Sequence, residues 1–234
     1  GLQGTGNKIN IEINSDESGT AVTKADGQIL NAASVTDLNA KTTGLISFTT
    51  NITSVEGTAT ELATLYTAHD TTAVAGSQIT GLGAEAVTVI DKATAGVGGV
   101  VQAADLKTIK EGTSGTVTLT EVASISGTFS DVEYVLVTQK AKFANEDADK
   151  VTITDAVTVT DLEKITTATS GVVTATISDT EMTKLDNLTE TTADNLLTIN
   201  LKDSSVDATK LKTLNTKTAG VVTVDSATVT GAMD

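Results

Sequence analysis

Four aspartates recur at one place in a pattern, each just after a short run rich in Val, Ile and Thr: Asp155, Asp179, Asp203 and Asp225. If those runs are neighbouring parallel strands, equivalent positions stack about 4.8 Å apart and the carboxylates form a row. Two chemistries suit such a row. Ca2+ takes several oxygen ligands, often carboxylates, so the row predicts cation sites that bridge successive repeats. An Asp side chain also accepts hydrogen bonds from backbone N–H groups, which predicts instead that each residue caps its own turn or helix. Like charges on a ladder repel, so cations, lysines or water must offset them. A denser acidic stretch, Asn145-Glu146-Asp147-Ala148-Asp149, makes Asp147 and Asp149 further candidate cation ligands. It matches part of an EF-hand loop but lacks the Gly and the terminal Glu. Ca2+ is the one cofactor these residues suggest, and none is required.

The remaining reactive residues point away from catalysis. His69 is the single histidine, without a second ligand for a metal or a nucleophile to serve, and reads as a surface residue. The chain holds no nucleophile elbow, P-loop or dinucleotide fingerprint; the glycines around Gly96–Gly99 are not followed by the Lys-Ser/Thr of a P-loop. Thr174, Thr198 and Thr223 occupy equivalent positions in three strand-like runs, an arrangement also found on ice-binding faces, though helices and insertions interrupt it here. The expectation is a protein that is not an enzyme.

The elements that would position these residues come from a repeat. Closers of the form Thr/Ala-x-Gly end at Gly44, Gly76, Gly96, Gly115, Gly171 and Gly220, with Asn195 at an equivalent place. Each precedes an alternating apolar run, as in Val172–Ile177, of the kind that forms a buried parallel strand. Between them, a Ser or Thr followed by an acid and an apolar residue predicts helix starts at Thr36, Thr60, Ser130, Thr160 and Thr180. The closing Gly or Asn would supply a left-handed cap. The spacing predicts an α/β solenoid of right-handed coils, each one short parallel strand plus one short helix. Its repeat is about 19–25 residues, with two longer coils of 32–35 residues. Residues 1–234 form one repeat array: an N-terminal coil over 1–44, irregular coils over 45–150 and regular coils over 151–234. The opening Gly and the close on Met233-Asp234 suggest a fragment of a longer protein.

Composition narrows the partners. Fifteen lysines, with no Arg, stand against 30 acidic residues, for a net charge of −15. Phosphate backbones and anionic lipid surfaces need clustered Lys and Arg, so nucleic acid and membrane surfaces are excluded as partners. No run approaches the length of a membrane helix. Cysteine and Trp are absent and only five aromatic residues occur (two Tyr, three Phe), so a core built from small branched side chains is expected.

The run Val151-Thr-Ile-Thr-Asp155-Ala-Val-Thr-Val-Thr160-Asp-Leu-Glu-Lys-Ile165, closing on Thr169-Ser-Gly171, resembles the Thr-rich repeats of very large bacterial surface and secreted proteins. The likeness is good over Val151–Thr230 and partial over Ser34–Thr120. It implies an extracellular or cell-surface structural role: a filament, lattice or adhesive stalk whose copies self-associate. The alternatives are an adhesin or phage-fibre segment that binds a glycan or surface receptor, and, further off, a secreted polysaccharide-acting enzyme, which the absence of Arg opposes.

Overall fold

The computed structural model describes residues 10–13, 29–48, 52–69, 79–91, 99–120, 122–145, 150–189, 194–225 and 228–231. In chain order the first elements are β1 (Ile11–Ile13), β2 (Ile29–Asn31), α1 (Ala32–Asn39), β3 (Ile46–Phe48), β4 (Ser54–Gly57), α2 (Ala59–Ala68), β5 (Ile79–Thr80), β6 (Ala86–Ile90), β7 (Gly99–Gln102), α3 (Ala103–Gly112) and β8 (Val117–Thr120). Next come β9 (Val122–Gly127), α4 (Phe129–Glu133), a π-helical turn (Tyr134–Thr138), a 3-10 turn (Lys140–Lys142), β10 (Phe143–Ala144), β11 (Lys150–Val157), α5 (Val159–Ala168) and β12 (Val172–Ile177). The last are α6 (Met182–Leu185), β13 (Leu196–Leu201), β14 (Ser205–Asp207), α7 (Ala208–Asn215), β15 (Val222–Val224) and β16 (Thr228–Thr230).

The expected solenoid is not what forms. Parallel strands and short helices are both present, but among the described residues sixteen strands accompany seven α-helices, so the rule of one strand and one helix per coil fails. The strands divide among four separate parallel sheets of three, five, six and two strands, and tertiary contact is mostly between neighbouring strands rather than coil against coil. The physical reason is that the interval between helices often holds two strands: β3 and β4 both lie between α1 and α2 and join different sheets. A period counted from Gly to Gly merges such pairs into one unit.

The chain packs as two compact units. The first comprises Gly1–Val122 with Lys140–Glu146, the second Ala123–Gln139 with Asp147–Asp234. In the first unit, strands run in the orders β1-β3-β5 and β10-β8-β6-β4-β2. Parallel register places Leu30, Val55, Val87, Val117 and Phe143 opposite one another, and this row is buried. Each strand alternates, so apolar side chains line one face while Thr88 and Thr118 pair on the other. In the second unit β9, β11, β12, β13 and β15 follow in order, with Ile125, Val151 and Val173 as a fully buried row, and β14 pairs β16. Small branched side chains fill these layers. Among the described residues no helix is long and apolar enough to cross a membrane.

The threonine row is also different from the expectation. Thr174 lies opposite Leu196, Thr198 opposite Thr176, and Thr223 opposite Asn200, so the three residues are not cross-strand neighbours. Each strand is displaced by two residues relative to the alignment of the repeats, and no continuous Thr row results.

Candidate functional site

Helix N-termini organise the polar chemistry of this chain. An α-helix leaves its first four N–H groups without intrahelical partners. In α2, α4 and α5 the cap is a threonine two residues earlier than the sequence suggested: Thr58, Thr128 and Thr158 rather than Thr60, Ser130 and Thr160. Each accepts from the amide three residues on, at Glu61, Asp131 and Asp161 (3.3, 3.3 and 3.1 Å). Glu61 completes a reciprocal capping box by accepting the Thr58 amide at 2.9 Å. The Thr-x-x-Glu/Asp spacing was visible in the sequence and identifies these caps.

The first amide of each of these helices is served from much farther along the chain. Ala59 N–H donates to Asp91 Oδ2 at 2.8 Å, Phe129 N–H to Asp155 Oδ1 at 2.7 Å, and Val159 N–H to Asp179 Oδ2 at 2.8 Å. Met182, the first residue of α6, donates to Asp203 Oδ2 at 2.7 Å. The aspartates therefore do cap helices, but each caps the preceding helix, 20 to 32 residues back, rather than its own. A register shift in β11 between Thr152 and Ala156 aims Asp155, while Asp179 and Asp203 each follow their strand by two residues. A negative side chain here also complements the positive end of the helix dipole.

Three of the four candidate residues, Asp155, Asp179 and Asp203, thus share one role, each with an oxygen engaged by an amide. Asp225 departs from it. It follows β15, is exposed, donates its own N–H to Leu201 O at 2.8 Å, and its side chain makes no hydrogen bond among the described residues. Asp147 and Asp149 lie outside the described residues. Among the described residues no group of three or more His, Asp or Glu side chains is placed to hold a metal ion. Asp91 belongs to the same series although the sequence reading passed over it; its signal was the acid directly after the alternating run Ala86–Ile90. Burial pushes its carboxyl above the ordinary value, the Ala59 amide opposes this, and Glu61 and Asp105 push it further up.

Closing glycines work differently from the left-handed caps expected of them. Gly44, Gly115, Gly171 and Gly220 each donate their N–H to the hydroxyl of a threonine two residues earlier, at 2.8–3.0 Å. None has a positive φ. A Cβ at Gly115 would stand 2.1 Å from Glu85 O, and one at Gly220 the same distance from Leu197 O. Close passage of a neighbouring backbone is what selects glycine there. Asn195 takes the equivalent place with a buried side chain that accepts Val173 N–H at 2.8 Å. The closers at Gly76 and Gly96 lie outside the described residues.

A buried polar cluster in the first unit was not anticipated. Glu85, only 3% exposed, accepts from the Tyr66 hydroxyl and from the amides of Gly83 (2.7 Å) and Ala84 (3.0 Å). Burying an unpaired carboxylate costs several kcal/mol, on the order of 3–5, and these three donors offset it. Burial, then the negative charge of Glu85, drives the Tyr66 phenol far above its ordinary pKa, so it remains a donor. Lys110 donates to Thr113 O at 2.5 Å and Gly115 O at 3.0 Å; burial lowers its pKa, and Lys142 adds to that. His69, expected at the surface, is half-buried: its Nδ1 lies 3.2 Å from Ile79 O, which assigns the proton to Nδ1, and Nε2 is enclosed without a partner among the described residues. The Tyr66–Glu85 bond fastens the Gly81–Glu85 turn to α2, and Thr113, the C-cap of α3, fastens it from the other side by donating its hydroxyl to Glu85 O at 2.7 Å. The residues that make the cluster are far apart in sequence and carry no local motif, which is why it was illegible there.

A concave polar surface lies between α5 and α6, lined by Thr158, Thr160, Glu163, Asp179, Lys184 and Asn187, with a volume near 220 Å3. Glu163 is already turned to hold Thr189, accepting its amide at 3.1 Å and its hydroxyl at 2.9 Å. The Lys184 ammonium makes no ion pair among the described residues.

No family model, curated protein or solved structure matches this chain.

Proposed function

We propose that this is a structural, non-enzymatic protein of an extracellular or cell-surface assembly, in which copies of the chain associate with one another. The observation that carries the reading is the use made of its acidic side chains. Asp91, Asp155, Asp179 and Asp203 hold helix amides, and Glu85 is closed off by three donors, so the groups with the most chemical capacity maintain the fold. An acidic surface with a net charge of −15 suits an abundant exported protein, and it makes association dependent on salt. Sedimentation velocity across a concentration series, at low and high NaCl, tests this. Association that grows with concentration and salt is expected; a monomer under every condition sinks the reading.

A second reading, binding of a hydroxyl-rich ligand such as a glycan, is favoured by the cleft between α5 and α6, where Lys184, Asn187 and Thr160 present polar atoms around a space smaller than a drug-sized pocket.

A further inference from the structure

The walls of the cleft between α5 and α6 are tied to one another by bonds between distant parts of the chain. Asp179 Oδ2 accepts Val159 N–H at 2.8 Å, and Glu163 Oε1 accepts the Thr189 amide and hydroxyl at 3.1 and 2.9 Å. A ligand therefore meets walls already in place, which lowers the ordering cost of binding. The polar groups left over are of both kinds. Asp179 Oδ1 and Glu163 Oε2 are acceptors that no hydrogen bond among the described residues uses, and Lys184 Nζ and the Thr160 hydroxyl are donors in the same condition. Asn187 adds an amide whose contact with Thr183 O is long, at 3.4 Å. A larger hollow, near 430 Å3, between α2 and α3 makes the contrast. There the hydroxyls of Thr64, Thr67 and Thr108 donate back to carbonyls of their own helices at 2.7–3.0 Å, and Thr60 donates to Asp105. That hollow shows mainly methyl groups, whereas the cleft shows uncommitted polar atoms.

Donors and acceptors side by side select the ligand. A carboxylate or phosphate offers only acceptors and would face Asp179 and Glu163; an ammonium offers only donors and would face Lys184. A hydroxyl both donates and accepts, so neighbouring hydroxyls on one ring meet both sets at once. The volume near 220 Å3 is room for about seven waters at roughly 30 Å3 each, which suits one sugar ring rather than a longer chain. We propose that this cleft binds a single neutral pyranose, its hydroxyls donating to Asp179 and Glu163 and accepting from Lys184, Asn187 and Thr160. This rests on the second reading above and gives it a place and a ligand class. Among the described residues no aromatic side chain lines the cleft, so ring stacking does not contribute and the expected Kd is weak, on the order of 1 mM.

Amide NMR spectra of the full chain, titrated with methyl glucoside, methyl galactoside and methyl mannoside, test this, since the three present their hydroxyls in different orientations. At least one is expected to move the amides of Thr160, Lys184 and Asn187 along a saturable curve. Glucosamine and glucuronate, which carry the charges the cleft opposes, should bind at least about tenfold more weakly than the best neutral sugar. Lys184→Ala and Thr160→Val remove exposed side chains that hold nothing among the described residues, so both should melt like the wild type. Lys184→Ala is expected to weaken binding about tenfold, the loss of a hydrogen bond from a charged group, and Thr160→Val by less. Folded variants that bind as tightly as the wild type, or saturable shifts confined to other residues, leave the glycan reading standing and overturn this site. A charged sugar that binds more tightly than every neutral one overturns the neutral ligand. No response to any of the three neutral sugars overturns the inference as a whole, and binding of the same chain to an array of longer glycans then decides the second reading separately.

Discussion

At Asp161 and Asp91 the same residue type sits in opposite electrostatic surroundings. The Thr158 hydroxyl donates to Asp161 Oδ2 at 2.8 Å and holds that carboxyl below the ordinary aspartate value of 3.8, with Lys164 adding to the effect. A depressed folded-state pKa contributes stability that is present above the unfolded value and lost as pH falls through the folded one. Asp161→Asn is therefore expected to lower the melting temperature above about pH 4 and to converge on the wild type in stronger acid. Asp91 is raised, chiefly by burial and further by Glu61 and Asp105. Its sign is reversed: the favourable contribution is present below the unfolded value and lost as pH rises through the folded one. Asp91→Asn, which keeps an acceptor for the Ala59 amide, should thus compare best with the wild type at neutral pH and worst in acid. Melting curves of the two variants from pH 3 to 7 check this, and parallel pH profiles for both would show that neither carboxyl behaves as its surroundings dictate. The carboxylate of Lys164's other partner, Glu133, lies 3.1 Å from the ammonium, and Phe129 lies beneath it at 5.3 Å. These contacts are exposed and contribute little individually.

Between elements, the closing turns show what was legible in the sequence and what was not. The Thr-x-Gly signature marked four real turns, at Gly44, Gly115, Gly171 and Gly220, because threonine hydroxyl and glycine amide are two residues apart and bond locally. At Gly115 and Gly220 the reason for glycine was hidden, since it depends on backbone 23 to 30 residues earlier passing within contact distance. Helix starts were read two residues late for the same kind of reason. Thr60, Ser130 and Thr160 look as suitable as Thr58, Thr128 and Thr158, and only the reach of the side chain to the third amide separates them. At Thr36 the error was larger: α1 begins at Ala32 under Asn31, and the Thr36 hydroxyl donates back to Ala33 O at 2.9 Å inside the helix. Gly220→Ala tests the close approach. Its Cβ would meet Leu197 O at 2.1 Å and Leu197 N at 2.6 Å, and backbone atoms within a ladder have little room to yield. The expected cost is at or above the upper end of ordinary overpacking, about 3 kcal/mol, read as a lowered urea midpoint. An unchanged midpoint would mean that the turn can move off β13.

For the molecule as a whole, net charge and the aspartate row make separable predictions about cations. A charge of −15 on a chain of 234 residues destabilises the compact state through self-repulsion, and any salt that screens it should raise the melting temperature. A row of Ca2+ sites would add an effect that only Ca2+ produces, because binding to the folded state alone stabilises it in proportion to the logarithm of ligand concentration. In the structure Asp155, Asp179 and Asp203 each give an oxygen to a helix amide at 2.7–2.8 Å. A cap of this kind contributes about 1 kcal/mol, so the row matters against a typical total of roughly 5–15 kcal/mol without any metal. Ca2+ and Na+ chlorides compared at equal ionic strength are accordingly expected to raise the melting temperature equally, and chelation to leave it unchanged in NaCl. An excess rise with Ca2+ that disappears in Asp179→Ala would instead give the row to the cation, with the amide contacts as the arrangement that the ion displaces.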